Sequence, residues 1–193
     1  MLTQFFNRIN WVDVILAILF VRIIFISVKN GVIAEIFKFL AVLSALFISL
    51  HYYAYLAEFM AKKNTLSVES WQFLFFIGIG GLIVLAFKFL REGIMLLFKV
   101  EAVHQGFDKY AGGFVGVFRA ILLISLVIFA LMLMRHEYIY RQTASSVAYK
   151  IAAKAAPNTY SFLYRNLFGK LFEGAAFNAD VFAVVGSHGI DPK

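Results

Sequence analysis

Cysteine is absent from the 193-residue chain, and proline occurs only as Pro157 and Pro192. Without cysteine there is no disulfide, no thiolate nucleophile and no thiolate metal ligand, and the redox compartment stays open. With both prolines late in the chain, nothing of that kind kinks or stops a helix in residues 1–156. Charge is scarce too: Asp, Glu, Lys and Arg make up 15% of residues, against about 25% in an ordinary soluble domain. Apolar mass takes its place, with 62% apolar and 18% aromatic residues. A helix needs roughly 20 apolar residues to cross a hydrocarbon core of about 30 Å, so the chain can hold several spans and still leave long segments outside them. A soluble enzyme, a disordered tail and a single-anchor protein are excluded.

Charge-free stretches locate the spans. Residues 39–57 and 70–87 carry no Asp, Glu, Lys or Arg, and residues 110–134 carry only Arg119. The first span, near 11–28, has Asp13 at its start and Arg22 inside it. Helices are predicted near 9–29, 32–57, 70–98 and 108–134. The expected architecture is an all-α integral membrane protein: four transmembrane helices over 1–134 and an amphipathic C-terminal helical tail over 135–193. Lys29-Asn30-Gly31 is a tight connection, predicting an antiparallel hairpin of helices 1 and 2. The first apolar stretch follows a polar start and lacks a small-residue cleavage site, so it is expected to stay as a span.

The net charge of +7 is spread from Arg8 to Lys193 without a dense basic run. Loop charge meeting anionic lipid headgroups explains it better than nucleic acid does. Basic residues near the spans number six on the side of the termini (Arg8, Lys62, Lys63, Arg135, Arg141, Lys150) against five opposite (Lys29, Lys88, Arg91, Lys99, Lys109). The positive-inside rule therefore leans towards cytoplasmic termini.

Two stripes mark the tail. Ala144, Val147, Ala148, Ile151, Ala152 and Ala155 recur at helical spacing, as do Tyr160, Leu163, Tyr164, Leu167, Phe168, Leu171 and Phe172. Aromatic-rich amphipathic helices with basic flanks commonly lie in the headgroup plane, which is the expectation here. The alternative is a helix packed on the bundle's own loops.

Arg22, Glu35, Lys38 and Arg119 stand where lipid disfavours charge. With Asn30 as the tip, Arg22 and Glu35 lie roughly 12 and 7.5 Å down their helices, at about 1.5 Å per residue. Glu35 is thus a candidate partner for Arg22 or Arg119 in an intramembrane polar network. The competing reading has the helices projecting beyond the membrane, with these groups meeting water or lipid phosphate. Asp108, Gly112, Gly116 and Arg119 are spaced to share one helix face, and the two glycines admit a close helix–helix approach. Gly78, Gly80 and Gly81 give helix 3 a similar thin patch.

Asn10-Trp11-Val12-Asp13, the Gly31 turn, Glu35 four residues on, the His51-Tyr52-Tyr53 group and Asp108-Lys109-x-x-Gly112-x-x-x-Gly116-x-x-Arg119 resemble the colicin V production protein (CvpA) family over residues 10–134. In that pattern Asp13, Gly31, Glu35, Asp108 and Arg119 are the signature positions. The chain departs from it at Asn30, where the family often has Arg, and at Ala120, where it has Gly. The resemblance implies a multi-pass protein of the bacterial inner membrane, associated with production or export of a peptide toxin and with wider envelope roles.

Three functions compete. A non-enzymatic accessory factor, forming a homo-oligomer or binding a membrane protein partner, fits the glycine face and the tail. An oligomeric channel or small transporter would use Arg22, Glu35 and Arg119 as polar lining. An intramembrane enzyme fits least. His51, His104, His136 and His188 show no metal-binding spacing, the span serines have no evident base, and no cofactor is expected. His51 with Tyr52, Tyr53 and Tyr55 reads first as an aromatic belt. Asp13 reads first as an N-cap beside the interfacial Trp11.

Overall fold

Asn10 opens the first helix with its own side chain: Oδ1 accepts the Val12 amide at 3.0 Å, supplying one of the four hydrogen bonds a helix start lacks. The computed structural model describes residues 10–63, 66–97, 105–171 and 176–186. Helix α1 (Trp11–Asn30) runs to Gly31, whose φ of 75° is open to glycine at little steric cost, and α2 (Val32–Ala61) follows at once. Then come α3 (Val68–Leu97) and α4 (Gln105–Leu133). All four are long and apolar enough to cross a membrane, and no strand occurs among the described residues. α2 runs four residues past its sequence-predicted end and α3 starts two residues before its predicted start; both are 30 residues long. At 1.5 Å per residue that is about 45 Å, longer than the hydrocarbon alone requires.

The expected α1–α2 hairpin is not how these helices pack. α1 lies mainly against α4, α4 against α2, and α2 against α3, so the spatial order is α1–α4–α2–α3. A one-residue turn fixes where α1 ends and α2 begins but not which helix either lies beside. Gly112 and Gly116 decide that, by admitting α1 to the surface of α4. The core gathers around Tyr53, Phe76 and Phe129, whose rings meet at 5.1–6.2 Å.

The tail forms α5 (Glu137–Ser145), α6 (Val147–Ala152) and α7 (Ala155–Leu163). A π-helical turn (Tyr164–Phe168) and a last turn (Gly169–Leu171) extend α7, and α8 (Asp180–Gly186) ends the described chain. One face of it shares the core of the span helices through Tyr149, Ala152, Ala156, Tyr160, Val181 and Val185. It packs on helix flanks, not only on loops. Ser125 Oγ of α4 donates to the Ala153 carbonyl at 3.1 Å and accepts the Ala156 amide at 2.8 Å, filling the backbone groups freed where α6 gives way to α7. Asn178 Nδ2 donates to the Leu50 carbonyl at 2.7 Å, and Phe168 stacks on Phe47 near the middle of α2.

The two stripes are split by this docking. Val147 and Ile151 face outward, because the chain breaks at Ser146 and again after Ala152 and each break resets the buried face. The wide π-helical turn brings Phe168 over Phe47 and turns Leu167 out. Phe172 lies outside the described residues.

Candidate functional site

Glu35 sits in the first turn of α2 with none of its surface exposed. An isolated carboxylate there would be costly, so its partners matter. Oε2 faces Arg119 Nη2 of α4 at 2.9 Å and Ser27 Oγ of α1 at 2.9 Å; Oε1 faces Lys38 Nζ at 2.6 Å and Asn30 Nδ2 at 3.3 Å. Arg119 Nη2 also donates to Ser27 Oγ at 3.0 Å. The Ser27 hydroxyl lies 2.7 Å from the Ile23 carbonyl as well, so its single proton goes to that oxygen or to Glu35. Three helices therefore close on one carboxylate. Arg119, although eleven residues beyond Asp108, reaches it because helical side chains lean towards the N-terminus.

One turn away, Asp108 completes the seam. Its Oδ1 accepts the Val32 amide at 2.7 Å, capping α2, while a side chain at Gly31 would run into its Oδ2. At Gly112 a Cβ would lie 3.0 Å from the backbone atoms Ser27 O and Gly31 C; at Gly116 it would overlap the Ser27 side chain outright. The Asp108–Gly112–Gly116 face is thus a contact within the protein, α4 against the last turn of α1.

Arg22 does not join this network. It is exposed, because five residues separate it from Ser27 and place it about 140° round the helix. Spacing along the chain says nothing of its facing. Lys38, by contrast, has its acid partner in Glu35 three residues earlier. Ser27 carries no chemical signature, and only its place on the buried Ile23 face of α1 distinguishes it.

Asp13 is not the cap of its own helix. Its carboxylate accepts the Val147 and Ala148 amides at 3.0 and 2.8 Å, capping α6 of the tail, while Asn10 Nδ2 donates to Gln142 O and, at 3.2 Å, to Ser145 Oγ. The His51 group divides: Tyr52 and Tyr55 are exposed, Tyr53 is buried in the core, and His51 Nδ1 meets Tyr160 Oη at 2.9 Å. Burial pushes the Tyr160 phenol above its ordinary range, so it stays protonated and also accepts the Asn178 amide at 3.1 Å. These side chains serve tail docking. Among the described residues no group of three His, Asp or Glu is placed to hold a metal ion.

All five signature positions thus form helix junctions: Gly31 with Asp108, Glu35 with Arg119, and Asp13 with the tail. The family model described as colicin V production protein matches residues 12–157. The chain belongs to the colicin V production protein family. The match runs past the four spans through α5 and α6, so it includes the part of the tail that Asp13 caps. No curated protein and no solved structure matched the chain. Where this family often has a cation before the turn glycine, Asn30 here reaches Glu35 with its amide and Lys38 supplies the charge.

Proposed function

We propose that this multi-pass membrane protein is a non-enzymatic accessory factor of the bacterial inner membrane. Its role is to support production or export of a colicin V-type peptide toxin and envelope homeostasis, with both termini in the cytoplasm. The observation that carries the reading is the closed coordination of Glu35. Both of its oxygens are occupied by donors from α1, α2 and α4, so the one fully buried acid among the described residues is committed to joining helices. That commitment supports a structural role for Glu35 over proton transfer. The exposed position of Arg22 weighs against a route lined by Arg22, Glu35 and Arg119. Because the glycine face is occupied by α1, contacts with a second copy or a partner fall to other surfaces, among them the exposed apolar face of α3.

The test is deletion of this protein in a bacterial host carrying a colicin V-type toxin system, with secreted and intracellular toxin measured separately. The expected result is reduced secreted toxin, restored by the wild-type chain. Unchanged secretion overturns the role in toxin production. Ion flux in reconstituted vesicles that Arg119→Leu abolishes in a folded protein would replace the accessory reading by the channel.

A further inference from the structure

The far side of α4 carries a different arrangement. Between α2, α3 and α4 lies a cavity of about 320 Å³ whose wall includes Lys38, Lys88, Arg91 and Arg119. No carboxylate lines it: Glu35 lies behind Lys38 and Arg119, and Glu92 approaches Arg91 only at 3.9 Å. The Nε atoms of Arg91 and Arg119 are buried without a hydrogen-bond partner, and Arg119 is only 8% exposed. Four cations around one hollow, two with unused donors, call for an anion.

This hollow adjoins a second cavity of about 510 Å³, with Val42, Val84 and Leu123 lining both. The second is almost wholly apolar and runs down α4 from Leu123 to Met134. At 1.5 Å per residue that is roughly 16 Å, close to half of a hydrocarbon core of about 30 Å, which is the length one leaflet gives an acyl chain. Its α3 wall is lowered by Gly80 and Gly81, and nothing lies within 4 Å of a Cβ placed at Gly81.

We propose that this composite site binds one anionic phospholipid. Its phosphate sits among Lys88, Arg91, Lys38 and Arg119, and one acyl chain lies in the groove between α3 and α4. Charge complementarity selects the headgroup, and the placing of a basic hollow beside an apolar groove of leaflet depth selects a lipid over a free anion. The lipid would fill a seam of the bundle that protein atoms leave open, and Lys88 and Arg91, its two ligands from α3, stand outside the Glu35 network.

The experiment purifies the full chain in neutral detergent, offers equal phosphatidylglycerol and phosphatidylcholine, and reads retained lipid by native mass spectrometry alongside thermal unfolding. Wild type is expected to retain one phosphatidylglycerol in preference to phosphatidylcholine. Lys88→Gln with Arg91→Gln should weaken that retention on the order of fivefold per neutralised residue. Gly81→Phe should weaken it through the groove alone, leaving every charge in place. Both variants keep the Glu35 seam, and lipid-free unfolding temperatures near wild type confirm that they fold. Equal retention of the two lipids, or retention unmoved by either change, overturns the site. Stabilisation by sodium phosphate alone that equals the effect of phosphatidylglycerol, and that Gly81→Phe leaves intact, assigns the hollow to a free anion and overturns the lipid.

Discussion

Helix α4 is flanked by two seams that both contain glycines and have opposite characters. Towards α1, Gly112 and Gly116 are pressed against backbone and the Ser27 side chain, and the Glu35–Arg119 pair bolts the contact. Towards α3, Gly80 and Gly81 border a groove, and α3 is the least buried of the four spans, 6% of its apolar window against half of that of α4. Small residues in a membrane helix therefore have no single meaning. They permit close approach only where a partner offers something to approach, here a capped helix start and a buried acid; elsewhere, as at Gly81, they border open space.

The largest effect is expected at the ion pair. Glu35→Leu strands Arg119 with no carboxylate, and removing one member of a buried pair typically costs about 3–5 kcal/mol. Thermal unfolding in detergent should show a large drop for Glu35→Leu and for Arg119→Leu alone. The Glu35→Leu/Arg119→Leu double variant should recover much of it, since both desolvated charges are gone. A double variant as unstable as the sum of the singles would mean that the two groups act separately.

Next comes the glycine step. Gly116→Leu must displace Ser27, which holds both the α1 backbone and Glu35, and overpacking of this kind costs about 1–3 kcal/mol or more. The same substitution at Gly81 meets open space and should stay within about 0.5 kcal/mol of wild type. Equal losses at Gly116 and Gly81, measured by unfolding and by size on gel filtration, would erase the distinction between the seams.

How much of this was legible in the sequence follows from what each signal measures. Runs without charge place the spans, because lipid excludes charge at any rotation of the helix. The same rule singles out Glu35 and Arg119, and the spacing of Asp108, Gly112, Gly116 and Arg119 gives one face. Spacing along a chain cannot say what that face meets. Hence the tight turn pairs α1 with α2, whereas α1 packs mainly on α4, and depth alone groups Arg22 with Glu35 although Arg22 is exposed. The Asp13 contact was hidden for another reason: a side chain capping a helix more than 130 residues away leaves no local pattern at either end. The basic hollow was illegible because Lys38, Lys88, Arg91 and Arg119 come from three helices and converge only once α2 has positioned α3 and α4.

The smallest effect concerns the join between spans and tail. Asp13 accepts two amides at the start of α6, while Ser146 Oγ accepts a third, from Tyr149, at 3.0 Å. Asp13→Ala therefore leaves one cap in place, and the loss should be near 1 kcal/mol, the usual worth of a cap. Its location distinguishes it from the core variants. Amide hydrogen exchange should rise in α6 and neighbouring α5, while the α1–α4 seam, held by Asp108 and Glu35 at the other end of α1, keeps its protection. If exchange rises equally in α1 and α4, the tail is an integral part of the bundle's cooperative unit. If it rises in α6 alone, Asp13 is a latch on a separately opening element, and the closed seam marks where the rigid part of the molecule begins.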